Sequence, residues 1–305
     1  MLASPCNNDD YTINIVQEAV KPGVVEIKRV IVRIPDGNIV LQTGRDAVLV
    51  NGRRLEKYDG NMVSTGEVFV QWIGGNVHAT FEDTGINVFW DGSSGVQVSV
   101  QSSLRRGLCG MCGFYNGRRN NDLRLSGTTT ATNDTERFAL SWLRGNGNTE
   151  SKCKPVASNE TCARRALSRA VEACNSLQNA PFDSCHSAID PQPYIASCIS
   201  DFCNCTSTSR DGRDACACQV ITNYVRACAQ AGVSLENWVN QTRCSAKTCV
   251  GERVYKECGS RCQLTCSNYE SPPECAKDCA EGCFCADGQV LKGGQCVDSD
   301  TCDGK

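Results

Sequence analysis

The chain has 305 residues, a formal net charge of −3 and 31 basic residues that are spread along its length. This balance does not indicate a nucleic-acid-binding protein, which would need basic residues clustered on one face. No apolar stretch approaches the roughly 18 residues of a membrane span, and the length allows two or three domains.

Residues 11 to 103 are predicted to form β-strands. β-Branched runs such as VVEIKRVIVRI at 24–34 are followed by turn signals such as PDGN at 35–38. Asn51 and Gly52 stand between two apolar runs, and both residues tolerate the positive φ of a two-residue hairpin. Short strands with regularly spaced turns predict an antiparallel β-sandwich or barrel.

Residues 153 to 244 are predicted to form a small helical module. Apolar residues recur at every third or fourth position in 162–177 and 216–232, the spacing of a helix face that packs on a core. A shorter helix is predicted between them at 190–203, with Pro193 near its first turn. The residues predicted to face the core are Leu167, Ala170, Val171 and Cys174 in the first helix and Cys218, Ile221, Val225 and Cys228 in the last.

Residues 249 to 302 contain ten cysteines and almost no apolar periodicity. A segment this short and polar cannot build an adequate core, so it is predicted to be held together by five disulfides. Each disulfide would stabilise it by about 2–4 kcal/mol in the chain-entropy model. Spacing alone leaves the pairing open.

The cysteine content indicates an oxidising compartment. The chain has 24 cysteines but only two histidines, so mixed Cys/His zinc sites would be short of ligands. Asn-x-Ser/Thr sequons agree with a secreted glycoprotein. The opening residues lack the pattern of a secretory signal, so we expect the chain to be part of a longer secreted protein. The four sequons are at Asn133, Asn159, Asn204 and Asn240.

Three cysteine-containing segments carry a family resemblance. GLCGMCGFYNGRRNNDLRL at 107–125 resembles the end of a von Willebrand type D (VWD) domain. DPQPYIASCISDFCNC at 190–205 and DACACQVITNYVRACAQAG at 214–232 resemble a C8 module. The cysteine-rich stretch at 258–297 resembles a trypsin-inhibitor-like (TIL) module. Together they resemble the D assembly of von Willebrand factor, gel-forming mucins and related adhesive proteins.

This resemblance implies a multidomain α+β protein. The expected parts are an antiparallel β-sandwich VWD domain at 1–152, a small disulfide-linked α-helical C8 module at 153–246, and a disulfide-rich TIL module with little regular structure at 247–305. The strands that open a VWD domain in the family, with their Gly-Asp-Pro-His-Tyr motif, have no counterpart here. We therefore expect the chain to begin within the domain.

The resemblance also implies a pairing for the early cysteines. By analogy with the family, Cys6 would pair with Cys109. The usual partners of Cys112 and Cys153 would lie in the segment that has no counterpart. These two cysteines are therefore candidates to pair with each other, to reach another chain or to stay free.

The segment NGRRNND at 116–122 is a candidate calcium loop. Calcium prefers six to eight oxygen ligands, and related domains bind calcium at the matching loop. The resemblance implies ligands from Asn116, Asn121 and Asp122 and from the backbone carbonyl of Arg118. However, Phe114 stands where relatives often have a ligand asparagine, and one carboxylate is too little charge for a tight site. The alternative is an amide-rich turn without an ion.

The CGMC segment, Cys109 to Cys112, allows a second interpretation as a redox motif. A CxxC motif can exchange disulfides, ideally at the N-terminus of a helix. Here it follows a predicted strand and enters a polar loop without a helix signal. Two cysteines that are each bridged elsewhere are therefore favoured over thiol–disulfide exchange.

Other catalytic motifs are absent from the sequence. Neither His78 nor His186 lies in a nucleophile motif, so the chain is not predicted to be an enzyme. The serious alternative is a serine protease inhibitor, because TIL modules of small inhibitors present a reactive loop between their fifth and sixth cysteines. That loop would comprise Ala276, Lys277 and Asp278, of which Asp278 is a poor match for a trypsin-like cleft.

The predicted function is therefore that of an extracellular structural or adhesive glycoprotein segment. The resemblance implies protein–protein interaction and disulfide-linked assembly in a matrix, in mucus or in an adhesive. The expected partners are other copies of the chain or other extracellular glycoproteins. Calcium is the only expected ion.

Overall fold

The structure is a computed structural model that describes most of the chain. It describes residues 1–302 apart from 7–9, 22–23, 36, 43–46, 56–61, 66–67, 83, 93–94, 106, 144–161, 163, 206–209, 247, 262–263 and 271–278. The chain folds as an N-terminal β-sandwich, a helical module and a small C-terminal β-module, which agrees with the predicted α+β class.

The first sheet of the sandwich is antiparallel and follows the chain order. A short strand β1 (Ser4–Pro5) precedes it. Asn51 and Gly52 have φ values of 50° and 78° and join its last two strands, which confirms the predicted hairpin. Its strands are β2 (Thr12–Lys21), β3 (Val24–Ile34), β4 (Gly37–Gln42), β5 (Ala47–Val50) and β6 (Arg53–Leu55).

The second sheet is also an antiparallel meander, and it packs on the first. Strand β3 shows how the sequence produces this packing, because Val30 and Val32 are buried while Arg29 and Arg33 are exposed. Residues from both sheets, such as Val30 and Trp90, share one core. The strands are β7 (Met62–Thr65), β8 (Val68–Ile73), β9 (Asn76–Phe81), β10 (Ile86–Trp90) and β11 (Val96–Val100).

The segment after the sandwich returns to the N-terminus. Strand β12 (Leu108–Cys109) pairs with β1, and helix α1 (Thr135–Ser141) follows. The carboxylate of Asp134 caps α1 by accepting from the Arg137 amide at 2.9 Å. The N-terminal ammonium donates to the carbonyl of Trp142 at 2.8 Å. These contacts place the CGMC segment beside the first residues of the chain.

The described part of the helical module contains four α-helices and five disulfides. Its helices are α2 (Arg164–Cys174), α3 (Gln192–Asn204), α4 (Arg210–Gln230) and α5 (Trp238–Gln241). The predicted core face of α4 is confirmed for Ile221, Val225 and Cys228, which are at most 3% exposed. The bridges are Cys162–Cys203, Cys174–Cys198, Cys185–Cys228, Cys205–Cys216 and Cys218–Cys244.

The predicted core face of α2 is wrong in part. Ala170 and Cys174 are fully buried, but Leu167 and Val171 are 42% and 36% exposed. The buried stripe instead runs through Ala166. The disulfide from Cys174 fixes the rotation of the helix about its axis, and the small alanine side chains let α2 approach its neighbours closely.

The C-terminal module consists of two short hairpin-like sheets. Strand β13 (Val254–Ser260) pairs with β14 (Cys279–Phe284), and β15 (Gln289–Lys292) pairs with β16 (Gln295–Asp298). Four disulfides join described residues of this module: Cys249–Cys283, Cys258–Cys279, Cys266–Cys302 and Cys285–Cys296. Among the described helices of the whole chain, none is both long and apolar enough to cross a membrane.

Candidate functional site

The CGMC segment forms a turn that is anchored on the N-terminal residues. Cys109 is bonded to Cys6, the pairing that the family resemblance implies. The amide of Cys112 donates to the carbonyl of Leu2 at 3.1 Å. Because one cysteine of the motif is bridged elsewhere and a turn follows it, the segment is not a local dithiol at a helix N-terminus.

Cys112 is the one free cysteine among the residues that the structure describes. Its residue surface is exposed, and the neighbouring Met111 and Tyr115 are 39% and 38% exposed. Desolvation of the thiol raises the pKa of Cys112, and the N-terminal ammonium opposes this shift. Cys112 therefore is accessible to a partner, although less of it is thiolate at neutral pH than for an ordinary thiol. Cys153 lies outside the described residues.

The candidate calcium ligands lie together, but they bond to each other and to the loop backbone. Asn116 Oδ1 accepts from the amide of Arg118 at 2.8 Å, and Asn116 Nδ2 donates to Asn121 Oδ1 at 3.2 Å. Asp122 Oδ1 accepts from the amide of Phe114 at 3.2 Å. The loop is thus closed by its own hydrogen bonds.

The charge around this loop does not suit a tight divalent-cation site. Asp122 is the only carboxylate among the four predicted ligands, and the guanidinium of Arg105 lies against Gly117. Within the described parts of the chain, no group of three or more His, Cys, Asp or Glu side chains could hold a metal ion. The donor set therefore does not fit tight calcium binding.

The second notable site is the junction where all three modules meet. Arg226, on α4 of the helical module, forms ion pairs with Asp91 of the sandwich at 3.4 Å and with Glu281 on β14. The Arg226 Nε atom also donates to Glu281 Oε1 at 3.0 Å. The side chains of Arg226, Asp91 and Glu281 are 11%, 4% and 5% exposed, so the ionic cluster is buried.

Other contacts fix the position of this ionic cluster. The Arg226 guanidinium lies 5.1 Å from the ring centre of Phe89, a cation–π arrangement with the sandwich. Asp91 accepts from the amide of Gly95 and from Gln219 Nε2, each at 3.0 Å. Charged groups at this burial are tolerated because each is paired and hydrogen-bonded.

The sandwich and the C-terminal module also contact each other directly, through hydrogen bonds to backbone carbonyls. The amide of Cys283 donates to the carbonyl of Gly74 at 2.8 Å, and Asn76 Nδ2 donates to the carbonyl of Glu281 at 3.0 Å. A Cβ atom on Gly282 would lie 2.7 Å from the Cα of Gly74. Only glycine permits this approach.

Comparison with protein families gives the identity of these modules. Family models match residues 1–129 as a von Willebrand factor type D domain, 173–245 as a C8 domain and 249–302 as a Trypsin Inhibitor like cysteine rich domain (TIL). The chain therefore contains a VWD domain, a C8 domain and a TIL domain. The C8 and TIL domains follow the VWD domain in the order that the sequence motifs indicated.

Several multidomain proteins resemble the chain over most of its length. Bovine von Willebrand factor is 32% identical over 84% of the chain, and human alpha-tectorin is 30% identical over 90%. Mouse otogelin-like protein is 32% identical over 72% of the chain. The chain spans 9 to 27% of the length of these three relatives.

The remaining predicted sites are distributed over the surface or fall outside the described residues. Three sequon asparagines, Asn133, Asn204 and Asn240, are exposed. The fourth, Asn159, and the inhibitor-loop residues Ala276, Lys277 and Asp278 lie outside the described parts of the chain.

The two histidines have local packing roles. His186 Nε2 lies 2.8 Å from the carbonyl of Leu177, and the ring of His78 packs edge-on against Phe89 at 5.2 Å.

Sequence reasoning did not identify the Arg226 junction between the VWD, C8 and TIL domains. Its carboxylate partners are 135 and 55 residues away in sequence, so no local spacing reveals them. One signal was present: Arg226 interrupts an otherwise buried run from Tyr224 to Ala229. A lone charge within a buried helix segment indicates a buried partner.

Proposed function

We propose that the chain is a structural and adhesive segment of an extracellular glycoprotein. The observation that carries this proposal is the junction at which Arg226 joins the VWD, C8 and TIL domains into one unit. A segment of this kind transmits force and spaces binding surfaces without hinging between its modules. The VWD-containing relatives are extracellular adhesive and matrix glycoproteins, which supports the same role.

We propose that the segment is secreted. Ten disulfides join described residues, and bridges at this density persist in oxidising compartments. Three exposed sequon asparagines are available for glycosylation in the same environment. A structural role is favoured over catalysis because the histidines pack locally.

We further propose that the segment assembles covalently through Cys112. Cys112 is an exposed residue on a turn, and exposed Met111 and Tyr115 flank it. Methionine and tyrosine are enriched at protein–protein interfaces. A second copy of the chain, or another extracellular glycoprotein with a free thiol, would bury these side chains around an interchain disulfide. The bond forms when a disulfide oxidant of the oxidising compartment takes up the two electrons and two protons that the two thiols lose.

Covalent assembly is tested by the molar mass of the secreted protein under non-reducing conditions. We expect wild-type protein to form reducible oligomers and the Cys112→Ser variant to lose them, because the variant removes the sulfur that forms the bond. Light scattering coupled to size exclusion measures the mass, and peptide mapping identifies the bridged cysteines. Oligomers that persist unchanged in Cys112→Ser would contradict the role of Cys112.

We propose that calcium binds the loop around Asp122 only weakly. A single carboxylate and nearby arginine charge place the expected dissociation constant at about 10⁻⁴ to 10⁻³ M, the range of extracellular modules. Isothermal titration with calcium measures it, with Asp122→Asn as the variant that abolishes binding and Asp134→Asn as a control outside the loop. Submicromolar binding would show that other ligands complete the site.

A further inference from the structure

The outer face of the first sheet of the sandwich carries an apolar row across three neighbouring strands. Ile31 on β3 is paired in register with Val40 on β4, and Val40 is paired with Leu49 on β5. Each of the three stands between two residues that pack on the core, so its side chain points outward, where it is half-buried. Because neighbouring strands are about 4.8 Å apart, the row is about 10 Å long.

This row departs from the pattern of a sheet that has one face in water. The strands of such a sheet alternate between apolar and polar residues. Here residues 30–32, 39–41 and 48–50 are apolar at every position. A continuous apolar run is typical of a strand that is covered on both faces. The sequence of the first sheet therefore indicates that its outer face is covered in the assembled protein.

The C8 and TIL domains contact the other side of the sandwich. Arg226 of the C8 domain lies over the ring of Phe89, on the second sheet. Ser99 of the same sheet donates to Gln230 at 3.3 Å, and the TIL domain bonds to the carbonyl of Gly74 between two strands of that sheet. The two sheets share one core, so the outer face of the first sheet points away from these contacts. A partner of the chain can therefore approach it.

Arginine side chains flank the apolar row. Arg29 and Arg33 are exposed and lie two positions to either side of Ile31, about 13 Å apart along β3. Their cross-strand neighbours on β2 and β4 are uncharged, and neither arginine forms an ion pair or a side-chain hydrogen bond with another described residue. Leu49 is paired with Arg54, which brings a third arginine to the same face. The face is apolar along its middle and positive on its flanks.

This charge decides between a second copy of the chain and a different partner. A twofold contact between two such faces would bring like charges together. The described outward positions level with Arg29 and Arg33 hold no carboxylate that would offset this repulsion. A partner with carboxylates has the complementary charge. An α-helix is about 10–12 Å wide, so a helix whose apolar stripe lies on the row places acidic residues beside that stripe near both arginines.

We propose that the outer face of the first sheet binds an amphipathic acidic helix of a partner polypeptide. Apolar side chains of the helix pack on Ile31 and its two neighbours in the row, and glutamate or aspartate side chains pair with Arg29 and Arg33. This inference gives a partner to the adhesive role proposed above and rests on that role. The test uses the Cys112→Ser protein, so its failure would leave the three-domain junction and the covalent assembly unaffected.

The test measures the fluorescence anisotropy of a labelled helical peptide as the protein is added. The probe is acetyl-AELAEALEALEAAL-amide, which has a leucine stripe flanked by glutamates. Its charge-reversed control is acetyl-AKLAKALKALKAAL-amide. We expect the glutamate peptide to bind saturably below about 1 mM and the lysine peptide not to bind in that range. Binding of the glutamate peptide should weaken between about 50 mM and about 500 mM salt, because exposed ion pairs are screened.

Variants of the protein locate the binding surface. Arg29→Gln together with Arg33→Gln should weaken binding about fivefold, through the loss of two exposed ion pairs. Ile31→Thr should weaken it about as much, because threonine keeps the β-branched shape but loses apolar surface. Arg53→Gln is the matched control, since exposed Arg53 is paired with Val50, whose side chain packs on the core, and so lies on the other side of the sheet. Circular dichroism checks that each variant is folded.

Three results would overturn the proposal. The first is the lack of saturable binding of the glutamate peptide up to about 1 mM. The second is equal binding of the lysine peptide, or an equal loss in Arg53→Gln. The third is binding that depends on Arg29 and Arg33 but not on Ile31, with displacement of the peptide by a heparin fragment. That result would assign the face to a sulfated glycan rather than to a helix.

Discussion

Replacement of Arg226 by methionine is expected to lower the free energy of unfolding by about 3–5 kcal/mol. Methionine keeps an apolar stem but removes the cation that pairs with both Asp91 and Glu281. Both carboxylates would remain in a buried site where a charge without a partner is strongly unfavourable. Denaturant unfolding with the disulfides intact measures the loss. We expect the TIL domain to separate from the VWD domain before the C8 helices unfold.

Two further variants show whether the loss comes from the buried charges. Arg243→Met removes a cation from the same domain. The side chains of Arg243 and its partner Glu172 are 32% and 65% exposed, so we expect the free energy of unfolding to change by less than about 1 kcal/mol. Neutralising both carboxylates in Arg226→Met, by Asp91→Asn and Glu281→Gln, should recover part of the stability. If Arg226→Met lowered the free energy of unfolding no more than Arg243→Met does, the ionic cluster would not join the modules.

Replacement of Gly282 by alanine is expected to destabilise the contact between the VWD and TIL domains by about 2–4 kcal/mol, from overpacking and backbone strain together. The residue has a φ of +150°, and a Cβ atom there would lie 2.7 Å from the Cα of Gly74 and closer still to its carbonyl oxygen. Backbone atoms cannot move aside as a flexible side chain does. The domains must therefore shift apart.

Gly288 of the same TIL domain provides the matched control. Its φ is +86°, and a Cβ atom there would meet nothing within 4 Å. Alanine at this position should therefore lower the free energy of unfolding only by the backbone strain of a positive φ, about 1–2 kcal/mol. Hydrogen exchange separates the two cases, because the amide of Cys283 donates to the carbonyl of Gly74 across the interface. We expect this amide to lose protection in Gly282→Ala and to keep it in Gly288→Ala. Equal protection in both variants would mean that the backbone approach is not needed for docking.

Features that depend on neighbouring residues were predictable from the sequence. Asn51 and Gly52 predicted a two-residue hairpin because few residue pairs adopt two consecutive positive φ values at low cost. The core face of α4 followed from the recurrence of Ile221, Val225 and Cys228 at helical spacing. The order of the three domains followed from cysteine-containing motifs that resemble the family.

Features that depend on distant residues were not predictable in the same way. On α2 the larger apolar residues Leu167 and Val171 are exposed, because the bridge from Cys174 turns small alanines toward the core instead. Spacing left the C8 and TIL disulfide pairing open, since it depends on which chain segments meet in three dimensions. The role of Arg226 could not be predicted for the same reason, because its carboxylate partners come from two other domains.

Small-angle X-ray scattering of the Cys112→Ser protein, with its glycans trimmed, tests most directly whether the three domains form one unit. We expect a single compact species whose scattering fits the arrangement of VWD, C8 and TIL domains in the structure. Its maximum dimension should be the same at about 50 mM and at about 500 mM salt, because buried ion pairs are screened far less than exposed ones. A larger maximum dimension that varies with salt, as for modules that move independently, would contradict the rigid junction and the structural role proposed from it.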